Sequence, residues 1–558
     1  MPSLDARGVA NLLREYAQRT ALRGGNPYRA KAYSRAADSL AALAVPLDVL
    51  IAEDRLTEIP GVGDAIADII TKLHKTGSHP SLEKLRKEIP EGVLEMLAVP
   101  GLRPEKVLRL YKDLGIASLA ELETAAKDDR TKKAKGLGAA LQTKILQNLA
   151  IAKRGEGPLH LHRAATLLAH AKESIRRARP ELKRVTIAGD FRRGCELVGD
   201  LAIVAEAAKS DKMSVPSAGG LQVRVSDRKH FGAALLFATG SAAHIQQLQA
   251  LADEKGMRLD ADGLHKGRTL VAGEEASIYE ALGLPFIDPE LREGHGEVEL
   301  ALKGKLPKLV TDDDLRGILH CHTDASDGTE TLERMAKATR QRGFEYFGVA
   351  DHSKSAHYAG GLSVEEIAQQ HREADRLNKR FGKDFRILKG IESDILADGS
   401  LDYDDVLERF DFVVASIHGR FKLDRKAQTQ RLLQAISHPY TTIIGHMTGR
   451  QLQRRPGYEI DVEKMLRACA KHDVVVEINA HPWRLDLDWR WHQAALEFGC
   501  TLSINPDAHS IAELDHMHWG IEMARKGGVP ADRVLNTMTL SEMTRYLRRK
   551  RRSLSQAA

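Results

Sequence analysis

The chain has 558 residues, which is more than one hydrophobic core usually accommodates and predicts three or four domains. Its apolar share of 42% and charged share of 29% are those of an ordinary globular protein, and its net charge of +6 is modest. It has no long apolar run and no CxxC pair among its four cysteines. We therefore expect a soluble cytoplasmic protein with reduced thiols and no membrane partner.

Residues 1–155 are predicted to be mostly helical, with three glycine-bearing turns. LTEIPGVGDAIADII at 56–70 and LAVPGLRPEKVLRLY at 97–111 are built alike, and KAKGLGAALQTKIL at 133–146 is a weaker copy. Each puts a turn before a helix, where backbone N–H groups can bind a DNA phosphate. The turns resemble the helix-hairpin-helix motif, which grips the DNA backbone without reading its sequence. That resemblance implies DNA contacts at Gly61, Gly63, Gly101, Arg103, Gly136 and Gly138.

The segment 159–310 alternates strand-like and helical patterns. VTIAGDFRRGCELVGDLAIVAEA at 185–207 predicts two strands joined by a turn, and FGAALLFATGSAAHI at 231–245 predicts a helix and a turn. These stretches, with the first hairpin and GGNPYRAKAYSRAADSL at 24–40, resemble the X-family DNA polymerases. The palm of that family holds two metal ions on three aspartates.

The resemblance implies that this palm has lost most of its metal ligands. The family's Asp-x-Asp pair is Asp200-Leu201-Ala202 here, its third aspartate aligns with Gln222, and the serine of its phosphate-binding turn aligns with Asp190. Loss of a metal carboxylate costs orders of magnitude in rate, so we expect a palm fold with absent or very weak templated synthesis. Only an active palm would need Mg²⁺. The degenerate site comprises Asp190, Arg192, Arg193, Asp200, Ala202 and Gln222.

Seven short apolar runs between residues 318 and 509 end mostly in metal-liganding residue types. In order they are ILHCHTDASDG, EYFGVADH, FRILKGIESD, FDFVVASIH, TTIIGHMTGR, VVVEINAHP and TLSINPDAH. Strand-like runs followed by helical segments predict a parallel βα array, in which the strand ends gather the active site. Because a strand repeats every two residues, we expect His320 and His322 to face the same side, and likewise Asp507 and His509.

The candidate ligands are too many for one ion. Imidazole and carboxylate together suit Mn²⁺, Zn²⁺ or Fe²⁺ better than Ca²⁺ or Mg²⁺. We expect two or three ions, bridged by a carboxylate such as Glu392 or Asp507. The nine candidates are His320, His322, Asp327, His352, Glu392, His418, His446, Asp507 and His509.

These residues stand in motifs that resemble a known family. HCHTDASDG, ADHS, SIHG, GHMTGR and NPDAHS, with the Glu392 strand, are similar in type and order to the motifs of the PHP (polymerase and histidinol phosphatase) phosphoesterases. The resemblance implies a distorted seven-stranded α/β barrel, a trinuclear metal site and hydrolysis of a phosphate ester, and Mn²⁺ is the metal we expect. Catalytic roles are expected for Glu392 and Asp507, and Arg420, Arg450 and Arg484 are candidates to clamp phosphate oxygens.

Over nearly its whole length the sequence resembles bacterial X-family DNA polymerases of the PolX type. This implies a nucleoid-associated DNA repair protein with a metal-dependent 3′→5′ exonuclease activity. Its expected substrates are 3′ ends of gapped or single-stranded DNA, and its expected partners are other repair proteins. The predicted domains are a helical DNA-binding domain at 1–85, a fingers-like helical domain at 86–155, the palm and nucleotide-binding region at 156–305, a linker at 306–315 and the PHP domain at 316–558.

Three other functions remain open from the sequence. One is an active gap-filling polymerase whose chemistry survives on Asp200 with Glu206 or Asp227 as a substitute carboxylate. Another is a non-catalytic DNA clamp that recruits repair partners. A third is a small-molecule phosphatase, which would leave the helix-hairpin-helix copies unexplained.

Overall fold

A computed structural model of the chain describes residues 4–24, 27–41, 47–59, 61–99, 102, 104–128, 130–133, 158–208, 221–403 and 406–557. The chain divides into two compact units, Met1–Gly157 and Pro158–Ala558. None of the helices in the described ranges combines the length and apolar content needed to cross a bilayer.

The first unit is helical wherever it is described. Its buried apolar residues form two clusters, one drawn from residues 9–85 and one from residues 89–126 with Leu22. Separate clusters on either side of residue 86 agree with the predicted boundary there, which stays a prediction. The helices are α1 (Ala6–Arg23), α2 (Pro27–Ala41), α3 (Leu47–Ala52), α4 (Asp64–Thr76), α5 (Pro80–Glu88), α6 (Glu91–Glu95), α7 (Pro104–Leu114) and α8 (Leu119–Lys127).

The first predicted hairpin lies between the 3₁₀ turn Leu56–Glu58 and α4. Gly61 has a φ of +84°, a left-handed conformation that favours glycine. Gly63 caps α4, and a Cβ added there would meet nothing within 4 Å. The backbone at the start of α4 is therefore open, as a phosphate-binding turn requires. Of the other predicted DNA contacts, Gly101, Arg103, Gly136 and Gly138 lie outside the described residues.

The second unit begins with small sheets and short helices. Strand β4 pairs antiparallel with β2 and parallel with β5, while β6, β7 and β8 form an antiparallel sheet beside a separate apolar cluster of residues 233–301. The strands are β1 (Leu159–His160), β2 (Val185–Ala188), β3 (Leu197–Val198), β4 (Leu201–Ala207), β5 (Gln222–Asp227), β6 (Arg258–Asp260), β7 (Gly263–Lys266) and β8 (Thr269–Ala272). The helices are α9 (Leu161–Ala178), α10 (Gly189–Arg192), α11 (Phe231–Thr239), α12 (Ala242–Glu254), α13 (Glu275–Ala281) and α14 (Glu297–Leu302).

Seven parallel strands then follow one another in sequence order around a barrel. The last strand returns to the first through a parallel bridge between Cys321 and Ala508, and the N–H of His322 donates to the carbonyl of Ala508 at 2.8 Å. The barrel is nearly closed, which confirms the predicted fold class. Its strands are β9 (Gly317–Cys321), β10 (Tyr346–Val349), β11 (Arg386–Asp394), β12 (Phe412–Ser416), β13 (Ile443–Ile444), β14 (Val475–Asn479) and β15 (Leu502–Asn505).

Helices cover the outside of the barrel, and the final helix closes one end. Met543, Tyr546 and Leu547 on α21 pack with barrel residues such as Phe412. The carboxylate of Glu345, just before β10, accepts from the first N–H of α21, so this is the end where the strands begin. The opposite end of the barrel, where the strands finish, is not covered by α21, and the predicted metal ligands lie there. The helices are α15 (Leu332–Gln341), α16 (Val364–Phe381), α17 (Arg425–Ser437), α18 (Val462–Lys471), α19 (His492–Glu497), α20 (Met517–Lys526) and α21 (Leu540–Ala557).

The palm packs directly against the barrel within this unit. The indole N–H of Trp489 donates to Glu196 at 2.9 Å, and Arg490 pairs with the other oxygen of the same carboxylate at 2.9 Å. The ring of Trp483 lies 4.2 Å from that of His160, centroid to centroid. One apolar cluster runs through both parts, from β4 of the palm to the strands and helices of the barrel.

Candidate metal centre

All nine predicted ligands lie at or beyond the C-terminal halves of barrel strands, as a parallel βα array predicts. His320 and His322 are at the end of β9, and Glu392 lies within β11. The loops that follow the strands carry Asp327, His352, His418, His446, Asp507 and His509.

His320 departs from regular strand geometry. The register between β9 and β10 shifts at this point, and His320 has a φ of +55°. The expected alternation therefore does not by itself bring His320 and His322 together. An irregularity of this kind re-aims the side chain, and the two imidazole centroids lie 5.4 Å apart. Asp507 also has a positive φ, +52°; non-glycine residues hold such conformations where the surrounding structure over-determines them.

Glu392 is the centre of the cluster. Its Oε1 lies 3.2 Å from Nε2 of His320, 3.3 Å from Nε2 of His418 and 3.1 Å from Nε2 of His446. Its Oε2 lies 3.0 Å from Nδ1 of His352. Nε2 of His322 lies 3.7 Å from the same Oε2. One buried carboxylate thus faces five imidazoles, which is the position expected of a bridging ligand.

Asp327 lies close to two imidazoles, those of His509 and His352, on another side of the cluster. Its Oδ1 lies 3.3 Å from Nε2 of His509 and 3.6 Å from Nε2 of His352. Asp507 lies 3.2 Å from Nε2 of His322. The ligand atoms fall into three overlapping groups, each with its atoms within 4.8 Å of one another: His322, Asp327, His352 and His509; His320, His322 and Glu392; His352, Glu392 and His418.

Several polar atoms in this cluster are buried without a hydrogen-bond partner. They include both carboxylate oxygens of Glu392, Nε2 of His320 and His322, and Nδ1 of His352. A buried polar atom left unpaired costs roughly 1–3 kcal/mol, and native structures contain few of them. So many together, all on imidazoles and a carboxylate, fit a divalent transition metal that accepts their lone pairs.

Burial and neighbouring charges perturb these groups strongly. Burial pushes the pKa of Glu392 up, but His418 and His320 outweigh it and hold the pKa well below the usual range. Burial pushes the pKa of His352 down, but Glu392 and Asp327 raise it to about 10. Burial and the nearby His509 lower the pKa of His322 to about 3. Ionised carboxylates thus face imidazoles, an arrangement in which a bound cation takes the place of imidazolium protons.

The sequence-based predictions missed two carboxylates that orient the ligands. Oε1 of Glu477 lies 2.5 Å from Nδ1 of His320, and Oδ1 of Asp394 lies 2.5 Å from Nδ1 of His418. Such partners hold a proton on Nδ1 and turn Nε2 towards the metal. A signal for Asp394 was present, because it stands two residues after Glu392 and so on the same strand face. Glu477 stands in VVVEINAHP, the apolar run without a candidate ligand.

The three predicted phosphate-binding arginines differ in their surroundings. Arg420 is exposed and has a φ of +57°. Nε of Arg484 lies 3.5 Å from Oδ2 of Asp507, at the edge of the cluster. Arg450 pairs with Asp488 at 2.6 Å and donates to the carbonyls of Arg484 and Leu485. These contacts favour a role for Arg450 in holding the loop that carries Arg484; that Arg450 itself clamps a phosphate stays a prediction.

The palm residues are brought together, but not as a metal site. Ala202 and Gln222 are register partners on β4 and β5, as the alignment of the two positions implies. Oδ2 of Asp190 accepts from the backbone N–H groups of Gly199 and Asp200, both at 2.9 Å. Asp190 therefore stabilises the turn at residues 199–200. This turn lies at the end of the sheet where the X-family polymerases carry their metal ligands.

The predicted palm arginines are paired with buried or half-buried carboxylates. Arg192 binds Glu275 through two nitrogens at 2.7 and 2.8 Å. Arg193 pairs with Asp190 at 2.6 Å and with Glu293 at 3.0 Å. In the described residues, every group of three or more potential metal ligands lies in the barrel.

The two substitute carboxylates considered for a surviving polymerase site lie at the far end of the sheet. Glu206 is four residues beyond Ala202 on β4, and Asp227 is the register partner of Ala207. At about 3.3 Å per residue, both are more than about 13 Å along the strands from Ala202. Glu206 pairs with Arg184, and Asp227 with its neighbour His230.

Comparison with known proteins gives matches along the whole chain. A helix-hairpin-helix domain model matches residues 6–79, and a SAM-like helix-hairpin-helix tandem matches residues 93–150. A DNA polymerase beta thumb model matches residues 234–293. A PHP domain model matches residues 319–481, which include seven of the nine candidate ligands.

The similar proteins include a relative that matches over nearly the whole of this chain and others that match less than half of it. A probable phosphatase of Thermoanaerobacter sp. is 27% identical over 267 residues, 44% of this chain and 98% of the relative. A probable phosphatase of Photobacterium profundum is 28% identical over 250 residues, 43% of this chain and 96% of the relative. The DNA polymerase/3′-5′ exonuclease PolX of Bacillus subtilis is 34% identical over 578 residues, 98% of this chain and 100% of the relative. The chain therefore belongs to the PolX family of X-family DNA polymerases with a carboxy-terminal PHP domain.

Proposed function

We propose that this protein is a metal-dependent 3′→5′ DNA exonuclease of DNA repair, that the PHP barrel carries the activity, and that DNA synthesis by the palm is lost or very weak. The contrast between the two sites carries the proposal. The barrel gathers nine ligand-type side chains, with Glu392 at their centre, whereas the palm has Ala202 and Gln222 where its family has aspartates. The relative in Bacillus subtilis is named for both activities.

The distances suggest how the nine side chains divide among ions. Glu392 is shared by two of the sets, because its carboxylate faces His320 of one set and His418 and His446 of the other. Divalent ions held by these residues would polarise the phosphate, activate water and stabilise the leaving 3′ oxygen. Mn²⁺ is the ion we favour, with Zn²⁺ and Fe²⁺ as alternatives. The three proposed sets are His320, His322, Glu392 and Asp507; Glu392, His418 and His446; and Asp327, His352 and His509.

The surrounding residues hold the cluster ready for a substrate. Glu477 and Asp394 keep Nδ1 of His320 and His418 protonated, so that Nε2 of each ring can act as a ligand. Arg484, beside Asp507, is placed to bind a non-bridging phosphate oxygen.

The rest of the chain suits DNA as the substrate. The helix-hairpin-helix segments would contact the phosphate backbone without regard to sequence, with Gly61 and Gly63 at the described hairpin. We propose 3′ ends of gapped or single-stranded DNA as substrates, other repair proteins as partners, and a cytoplasmic location at the nucleoid. We place the domain boundaries near residues 85, 155, 305 and 315.

The direct test is a nuclease assay on 5′-labelled single-stranded DNA with Mn²⁺, preceded by measurement of the metal content of the protein as isolated. We expect shortening from the 3′ end by the wild type and by Asp200→Ala, and none by His352→Ala or Glu392→Ala. Degradation that survives both barrel substitutions would assign the activity to another site.

An active gap-filling polymerase is the second candidate, favoured by the retained palm fold and by the name of the full-length relative. Primer extension on a gapped duplex separates it from the proposal. Incorporation of nucleotides by the wild type that disappears in Asp200→Ala would show that the palm is active.

A further inference from the structure

An exposed aromatic ring borders the metal centre. Tyr358 is 72% exposed. Its ring centroid lies 6.3 Å from that of His352 and 6.5 Å from that of His418. A single exposed aromatic residue is ordinary on a protein surface, but this one adjoins two candidate ligands. Its face therefore borders the space that a substrate phosphate would occupy.

The turn that carries Tyr358 is fixed by polar contacts. The N–H of Lys354 donates to the hydroxyl of Tyr403 at 2.7 Å, and the N–H of Ser355 donates to Asp402 at 2.8 Å. The hydroxyl of Ser355 donates to Asp394, the same carboxylate that orients His418, at 3.0 Å. The loop is thus attached to the framework of the metal centre, and the position of the ring is set with it.

Small residues pack this turn tightly on its inner side. Ala356 and Ala359 are buried, and a Cβ at Gly361 would lie 1.8 Å from the carbonyl oxygen of Ser353. His357 and Tyr358 both face outward from this turn, and the ring of Tyr358 contributes little to the core. The loop therefore presents an aromatic face at a defined place beside the metal centre.

We propose that Tyr358 is a stacking platform for the base of the 3′-terminal nucleotide; this deepens the proposed exonuclease function and rests on it. An enzyme that shortens any sequence needs a contact that every base can make, and each base has a π-face. The terminal base has no neighbour on its 3′ side, so that face is free. With its phosphate at the ions, the terminal nucleotide has its base one sugar away, within reach of this ring.

The test compares wild type, Tyr358→Ala and Tyr358→Phe on a 5′-labelled single strand with Mn²⁺. Loss of the ring should raise KM about tenfold, with little change in kcat because the base stacks equally in the ground and transition states. Tyr358→Phe keeps the ring and should behave as the wild type.

A second substrate carries a base-free tetrahydrofuran unit as its 3′-terminal nucleotide. On this base-free end the wild type should show the raised KM that Tyr358→Ala shows on normal DNA. Tyr358→Ala should not raise the KM for this end any further. With the base-free unit at the penultimate position the difference between the two proteins should return.

Each outcome decides something. Equal KM values for wild type and Tyr358→Ala on normal DNA would overturn the platform while leaving the exonuclease intact. So would a Tyr358→Ala effect that persists on the base-free end or disappears with the penultimate substitution. A metal-loaded wild type that shortens no 3′ end would overturn the proposed function and the platform with it.

Discussion

Replacement of Glu477 by glutamine tests how the metal centre is held. Oε1 of Glu477 lies 2.5 Å from Nδ1 of His320 and accepts from the side chain of Asn505 at 2.8 Å. Oε2 accepts from the backbone N–H of His446 at 2.7 Å and from the side chain of Asn479 at 3.2 Å. Every neighbour is a donor, so the NH₂ of a glutamine meets a donor whichever way the amide turns.

The magnitude follows from this conflict. An unsatisfied buried donor costs about 1–3 kcal/mol, and loss of a carboxylate that orients a metal-binding histidine typically costs about 10- to 100-fold in metal affinity or activity. We therefore expect Glu477→Gln to weaken Mn²⁺ binding by about 10- to 100-fold, since about 1.4 kcal/mol corresponds to tenfold. Saturating Mn²⁺ should recover most of the nuclease rate.

The assay is a Mn²⁺ titration by calorimetry, with nuclease activity followed over the same concentrations. Glu275→Gln is the matched control, because Glu275 is also a buried carboxylate but lies away from the barrel among Arg192 and Arg292. The control should bind Mn²⁺ as the wild type does. Unchanged Mn²⁺ affinity in Glu477→Gln would refute the proposed orienting role.

Glu275→Ala should destabilise the protein by about 3–5 kcal/mol in chemical denaturation, because it leaves Arg192 and the fully buried Arg292 without their partner; a loss below about 1 kcal/mol would contradict this. Burial raises the pKa of Glu275, but Arg192 and Arg292 outweigh it and lower the pKa overall. This stabilisation is therefore present above the unfolded pKa of about 4.3 and is lost as the pH falls through the folded pKa; Glu275→Gln should flatten that part of the stability profile. Gly61→Ala places a side chain at a φ of +84° and should cost about 1–2 kcal/mol. It should also weaken DNA binding measured by fluorescence anisotropy, and unchanged affinity would show that this hairpin does not contact DNA.

The barrel could be predicted from the sequence because its information is local. Each strand is an apolar run, most are followed by a helix, and the parallel order of such units is nearly fixed by chain connectivity. The convergence of His352, Glu392 and Asp507 then follows from strand polarity alone. The pairing of Ala202 with Gln222 on neighbouring palm strands was expected instead from the resemblance to the X-family polymerases.

What could not be predicted depends on contacts between residues far apart in the chain. The register shift at His320 is set by the pairing of β9 with β10. Glu477 reaches His320 across 157 positions of sequence, and nothing in VVVEINAHP alone identifies its partner. The engagement of Arg192 by Glu275 is likewise a product of packing between the palm and the following helices. A motif indicates where in the fold a residue lies. Long-range packing decides whether its charged group is already paired with another side chain.

The contact of Trp489 and Arg490 with Glu196 bears on why the palm remains in the protein. Trp489 is only 8% exposed, and the palm supplies the acceptor for its indole N–H. A barrel expressed alone would expose that indole to water and would leave Arg490 paired with Asp488 only. If the palm has lost its synthetic chemistry as proposed, this contact gives a structural reason to keep the domain, because the barrel packs against it.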